Sequence, residues 1–178
     1  MKFFPLLLLL LLPFSLYAEK TSWFVGLDGA ATGAQLTDAD TNTSFDYGPE
    51  YGIKAGFQDE HSRVYLGYTY AGNIGSVILK NQNVYVALDG VGRTFNVMGS
   101  ADAKFFFGAR LGASFGEFET ENVTALQGGF QTGLIFLLPA DFELETAYRQ
   151  YWTYRSRIES DFVAGALSVG LNYTFGEK

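Results

Sequence analysis

The sequence predicts an all-β fold, an eight-stranded antiparallel up-and-down transmembrane β-barrel, on three observations. Its 178 residues include 21 glycines, 17 phenylalanines and 11 tyrosines against four prolines, the make-up of an aromatic- and glycine-rich sheet protein. Beyond the N-terminus the chain divides into eight segments, mostly near ten residues, in which apolar and polar residues alternate. A period of two is the mark of a strand, whose successive side chains point to opposite faces. A tilted strand crossing a bilayer's hydrocarbon core needs about 9–11 residues. No segment beyond the leader approaches a membrane-spanning helix. Lipid leaves a closed barrel as the alternative, because only helices and barrels pair every backbone group in hydrocarbon.

Residues 1–18 read as a secretory signal peptide: Lys2 is the positive end, Phe3 to Leu12 the apolar stretch, and Ala18 a small residue suited to cleavage. Pro5 and Pro13 interrupt that stretch, which falls short of the roughly 20 residues a spanning helix needs. Residues 19–178 form a single domain. Without Lys2 the 12 basic residues become 11 against 19 acidic ones, a net charge of −8 with no basic stripe, which argues against nucleic acid as a partner. The absence of cysteine excludes a disulfide framework and a thiolate metal site.

The first strand, Trp23–Thr32, sets Trp23, Val25 and Leu27 against Phe24, Gly26 and Asp28. Polar residues 36–48 read as a loop. The second strand, Glu50–Gln58, sets Tyr51, Ile53 and Phe57 against Glu50, Lys54 and Gly56. A turn at 59–62 leads to the third, Arg63–Gly72, with Val64, Leu66 and Tyr68 against Arg63, Tyr65 and Gly67. The fourth, about Val77–Gly90, alternates most clearly at Val84, Val86 and Leu88 against Tyr85, Ala87 and Asp89. A long connection, 91–103, follows. The fifth sets Phe105, Phe107 and Leu111 against Lys104, Gly108 and Arg110, ending at an acidic loop over 117–125. The sixth, Gly128–Leu137, sets Phe130 and Leu134 against Gln131 and Ile135. After a turn at 138–141 the seventh, Phe142–Trp152, sets Phe142, Leu144 and Tyr148 against Glu143, Glu145 and Arg149. A loop at 153–159 precedes the eighth, Ala166–Phe175, where Leu167, Val169, Leu171, Tyr173 and Phe175 share one face.

Alternation alone does not say which face is outside, and a soluble lipocalin-like barrel would reverse the two. Three features favour lipid outside. The polar face carries Gly26, Gly52, Gly56, Gly67, Gly108, Gly112, Gly133 and Gly170, the small residues an eight-stranded interior requires. Its charges balance, with Asp28, Glu50, Asp89, Glu143 and Glu145 against Lys54, Arg63, Lys104, Arg110 and Arg149. Confinement demands such balance, since unpaired buried charge is costly. The apolar face collects aromatics toward both strand ends, as two interfacial girdles would. These ten charged residues are the candidate interior network, expected to plug the lumen, with Arg110 among those covering a carboxylate.

The last strand reads polar, any, glycine, two residues, aromatic, any, aromatic, met by Ser168, Gly170, Tyr173 and Phe175. On this motif and the eight segments the chain resembles the small outer-membrane barrels of the OmpA transmembrane-domain and OmpX type, from Trp23 to Phe175. The resemblance implies insertion by the barrel assembly machinery, and an outer membrane of a Gram-negative bacterium, with its lipid and lipopolysaccharide, as the surroundings. A monomer with no cofactor is expected. Gly176-Glu177-Lys178 after Phe175 departs from the family's aromatic end. No peptidoglycan-binding domain is expected.

Some barrels of this kind are lipid-modifying enzymes. The one histidine, His61, stands between Glu60 and Ser62 in a turn on the side of the termini, away from the outer leaflet where such enzymes work. Glu143 and Glu145 share a face but would line a lumen too narrow for a sugar. The acidic stretches Asp38–Asp46 and Glu117–Glu121 lack an ordered cation-loop motif. The expected function is therefore non-enzymatic, a plugged barrel with surface loops. Two alternatives stand beside it: an adhesin contacting a host or protein partner through Phe45, Tyr47 and Phe118, and a narrow passive-diffusion channel.

Overall fold

A computed structural model describes residues 21–37, 43–72, 78–97, 99, 101–118, 121–154 and 162–176. The expected signal peptide lies outside them. Eight strands close into one antiparallel barrel: β1 (Ser22–Thr37), β2 (Thr43–Gln58), β3 (Ser62–Ala71), β4 (Ile78–Val97), β5 (Ala101–Phe118), β6 (Glu121–Leu137), β7 (Phe142–Tyr154) and β8 (Phe162–Phe175). Each strand pairs with its sequence neighbours, and β1 closes on β8 through Trp23 opposite Phe175.

The register fixes the barrel's shape. Crossing the strands from Gln58 through Arg63, Asp89, Gly108, Gln131, Arg149, Ala166 and Thr32 returns to β2 at Gly48, ten residues from the start. A stagger of that kind tilts the strands by about 35–45° and leaves an interior only wide enough for side chains. Inward glycines make the room. A Cβ on Gly56 would fall on the Val64 carbonyl and the Tyr65 backbone, and one on Gly67 would fall within the Tyr85 ring.

The faces divide as the alternation implies. Leu27, Leu111 and Leu167 on the outward set are 60–68% exposed, whereas Asp28, Arg110 and Ser168 beside them are 3–7% exposed. The outer surface is thus an apolar band. Aromatic pairs mark its edges: Trp23 and Phe57 at 3.9 Å between ring centres and Phe142 and Tyr173 at 5.1 Å on the side of the termini, Phe130 and Trp152 at 5.8 Å toward the other side.

Strand limits differ from the sequence expectation in three places. Most of the loop expected at 36–48 is ladder, since β1 runs to Thr37 and β2 starts at Thr43. The acidic loop at 117–125 is likewise largely the β5–β6 hairpin, Glu117 pairing with Asn122. These ends extend past the length that crosses a bilayer. Backbone pairing persists there although the sequence no longer alternates. The long connection at 91–103 is the lower end of the β4–β5 hairpin, turning at Gly99 with φ +76°. A bulge shifts its register: Val91 lies opposite Phe106 but Thr94 opposite Lys104.

The turn at 59–62 is held by Asp59, whose carboxylate accepts from the His61 and Ser62 amides, both at 2.7 Å, and from the Ser62 hydroxyl at 2.8 Å. Partial burial pulls the Asp59 carboxyl upward, but these donors outweigh it and hold it below the ordinary aspartate range. A depressed carboxyl stabilises the fold above its unfolded value, and that contribution is lost as pH falls through the lower folded value. Protection of the His61 and Ser62 amides, measured against their intrinsic exchange rates at each pH, is therefore expected to fall in acid, and Asp59→Ala to lack that protection already at neutral pH. Protection in the wild type that does not change with acid would contradict the turn.

Glycine positions allow a second check. Gly29 faces outward with nothing within 4 Å of an added Cβ. Gly29→Ala is expected to be neutral or to stabilise by about 0.4–1 kcal/mol. Gly56→Ala, forced against backbone, is expected to cost about 1–3 kcal/mol in urea unfolding from lipid vesicles.

The charged interior as the candidate site

The inward positions of four strands converge on one set of ion pairs. Arg63 (β3) is at its centre: its guanidinium meets the Asp89 carboxylate (β4) at 2.7 Å and Glu145 (β7) at 2.8 Å. The second Glu145 oxygen holds the Lys54 ammonium (β2), also at 2.8 Å. Asn172 (β8) donates to Glu145 at 3.3 Å, and Gln131 (β6) donates to Asp89 at 2.6 Å and to the Tyr65 hydroxyl. All four charged groups are at most 3% exposed. The Arg63 guanidinium also lies 4.7 Å from the Phe106 ring centre, so its face is covered as well as its edge.

A second group stands higher in the barrel. Arg149 (β7) donates to Asp28 (β1) at 2.7 Å and approaches Glu50 (β2) at 3.8 Å. The other Glu50 oxygen accepts from Thr32 at 3.2 Å and from the Tyr151 hydroxyl at 3.1 Å. Arg149 and Tyr151 reach across the lumen from β7 to β1 and β2, which are not its neighbours, and this distinguishes the group from a surface ladder. Above them is an uncharged polar layer: Gln127 donates to Asn83 at 3.1 Å, Asn83 to Thr69 at 3.0 Å, and Ser114 to Asn81 at 2.6 Å.

Three of the ten expected residues are placed differently from a network of paired charges. Arg110 bonds no carboxylate among the described residues. It donates to Gln127 at 3.2 Å and lies 3.8 Å from the Tyr85 ring centre and 5.2 Å from that of Tyr151. The inward aromatics therefore take the place of its expected acid. Lys104 and Glu143 sit at the mouth on the side of the termini, both half-buried, lining a recess of about 380 Å³ with Gln58, Asp59 and Glu60. Glu143 accepts from Gln58 at 3.1 Å, and Lys104 is in none of the ion pairs among the described residues. Both line the recess and neither is in an ion pair among the described residues.

A charge-based reading missed the neutral partners. Gln58, Asn83, Gln127, Gln131 and Asn172 occupy inward positions, and their parity with Gly56, Tyr85, Gly129, Gly133 and Gly170 is the signal that identifies them. Likewise Phe24, Tyr65, Tyr85, Phe106 and Tyr151, at most 2% exposed, fill the space the inward glycines leave.

The residues weighed for catalysis stand apart from this interior. His61 is exposed in the turn, and the Ser62 hydroxyl is committed to Asp59. Asp38, Asp40 and Glu119 lie outside the described residues, among which no group of three or more acidic or histidine side chains could hold a metal ion. Ser168, Gly170 and Tyr173 take their places on β8, Ser168 and Gly170 inward, Tyr173 and Phe175 outward at 41% and 43% exposure.

No protein-family model matches the sequence, and no curated protein does. Solved structures match in shape. Neisserial surface protein A superposes with a TM-score of 0.62 at 17% identity, covering 88% of this chain and 100% of that one. The chain has the fold of the small outer-membrane β-barrels. Outer membrane protein H of P. aeruginosa, in DHPC micelles, superposes on this fold with a TM-score of 0.54 at 21% identity, covering 86% of this chain and 99% of that one.

The two arginines make a contrast. Arg63→Ala leaves Asp89 buried without a cation and Glu145 with Lys54 alone, and is expected to cost about 3–5 kcal/mol. Arg110→Ala uncovers no directly bonded carboxylate and loses one hydrogen bond and a stacked cation, about 1–3 kcal/mol. Urea unfolding in lipid vesicles measures both. Equal losses would contradict the ion-pair geometry.

Proposed function

We propose that this chain is a non-enzymatic integral outer-membrane protein whose lumen is closed by its own side chains and whose outward strand ends serve a structural or surface-interaction role. The observation that supports it is the crossing of the lumen by Arg63 and Lys54 to Glu145 and by Arg149 to Asp28, on strands that are not neighbours, over distances of 2.7–2.8 Å. Opening a path for solute would separate buried opposite charges, at a cost that exceeds thermal energy several-fold. The termini and the three turns of this barrel would face the periplasm, and the strand ends around 33–37, 43–48 and 113–126 the exterior. Lipid and lipopolysaccharide are then its surroundings, with no cofactor required.

Single-channel recording of the purified barrel in a planar bilayer tests closure. Rare brief openings are expected for the wild type, more frequent in Arg63→Ala. A stable, long-lived conductance in the wild type would replace the closed barrel with the diffusion channel.

The assembly signal belongs to the same proposal. Ser168, Gly170, Tyr173 and Phe175 would be read by the barrel assembly machinery, and Tyr173 and Phe175 also lie on the lipid face near one edge of the band. Charge near an interface costs only about 0–1 kcal/mol, so Tyr173→Asp with Phe175→Asp is expected to fail chiefly through recognition and to accumulate in the periplasm. Normal membrane insertion with heat-modifiable migration would remove these residues from the signal.

A further inference from the structure

The bulge in β4 changes which residues face lipid. Above it the even positions of β4 face outward: Val84, Val86 and Leu88 are 41–53% exposed, while Tyr85, Ala87 and Asp89 are at most 1% exposed. Below it Phe95 lies opposite Ala103 and Val97 opposite Ala101, and the odd positions of β5, among them Phe105 and Phe107, are its outward set. One extra residue between Val91 and Thr94 has therefore turned the odd positions of β4 outward. Without it Phe95 and Val97 would stand in line with the lumen, and Thr94 and Asn96 outside.

The result is an amphipathic ribbon below the barrel. One face carries Phe95, 43% exposed, with Val97 and Ala101 half-buried and Ala103 fully buried where it stands opposite both Phe95 and Phe136. On the other face Thr94 is opposite Lys104, and Asn96 donates to Asp102 at 3.0 Å, both of these last two exposed. The apolar face is continuous with the lipid-facing band: Phe105 follows Ala103 on the same side of β5, and Phe136 lies opposite Ala103 on β6. Arg93, within the bulge, is exposed at the depth where headgroups would begin.

We propose that the lower β4–β5 hairpin, residues 93–103, is a membrane-interface ribbon. Its Phe95 face lies against the headgroup–acyl boundary of the periplasmic leaflet, and Asn96 and Asp102 face water. Continuity with the band selects a phospholipid surface as the partner, because an aromatic at its edge is anchored where its ring meets the headgroups. The side assigned to this leaflet rests on the orientation proposed above.

The chain has no cysteine, so single-cysteine labels report one position each. Phe95→Cys, Asn96→Cys and Leu27→Cys variants would carry a nitroxide in phosphatidylethanolamine–phosphatidylglycerol vesicles, with heat-modifiable migration confirming that each has folded. Accessibility to oxygen, which partitions into lipid, is compared with accessibility to an aqueous nickel chelate. The oxygen-to-nickel ratio at position 95 is expected to be several-fold above that at 96 and to approach that at 27. Val97→Cys repeats the measurement should Phe95→Cys not fold. Water-like ratios at both 95 and 97 with a lipid-like ratio at 27 would overturn the ribbon alone. Water-like ratios at all of them would overturn the membrane barrel beneath it.

Discussion

Closure governs this molecule. A sheet in hydrocarbon has no water to satisfy a free edge, so β1 must meet β8, and eight strands staggered by ten residues leave a fixed, narrow interior. Everything inward follows from that width. Two facing positions cannot both be large, which is why Gly67 and Gly112 adjoin Tyr85, and why Gly129 and Gly133 adjoin Tyr151 and Phe106. Polar groups inside cannot be diluted by solvent and so must answer one another.

The pairings divide the interior by depth. Deep in the lumen the partners are charged and direct, as between Arg63 and Asp89. At the mouth on the side of the termini they are looser, and Lys104 and Glu143 remain beside a recess. Arg110 shows that a buried cation can be held without an acid, its guanidinium spread against the faces of Tyr85 and Tyr151. The same planar group that makes a forked ion pair at Arg63 makes a stack at Arg110. The neighbours decide which.

Much of this was legible in the sequence, for a physical reason. A barrel wall one residue thick with different solvents on its two sides writes its faces into every second residue, so Val84-Tyr85-Val86-Ala87-Leu88-Asp89 declares both. The outer ends of β1, β2, β5 and β6 carry no such alternation and read as loops although their backbones pair. The bulge at Val91–Thr94 inverts the code for the remainder of β4, which made that stretch look unstructured. Depth along the strand placed the interior charges, but position around the lumen depends on stagger. Hence the sequence could put Arg110 near a carboxylate's height without revealing that tyrosines stand between.

The pairing of Trp23 with Phe175 has a consequence for biogenesis. One edge of the first strand to be synthesised has no partner until the last strand exists. Until then the sheet presents two unsatisfied edges and a half-built apolar wall, the surfaces on which chains aggregate. Neighbouring hairpins can form locally, but the contact that completes the sheet spans nearly the whole polypeptide and is slow for that reason. A chain closed in this way is therefore exposed to aggregation until β8 has taken its place beside β1.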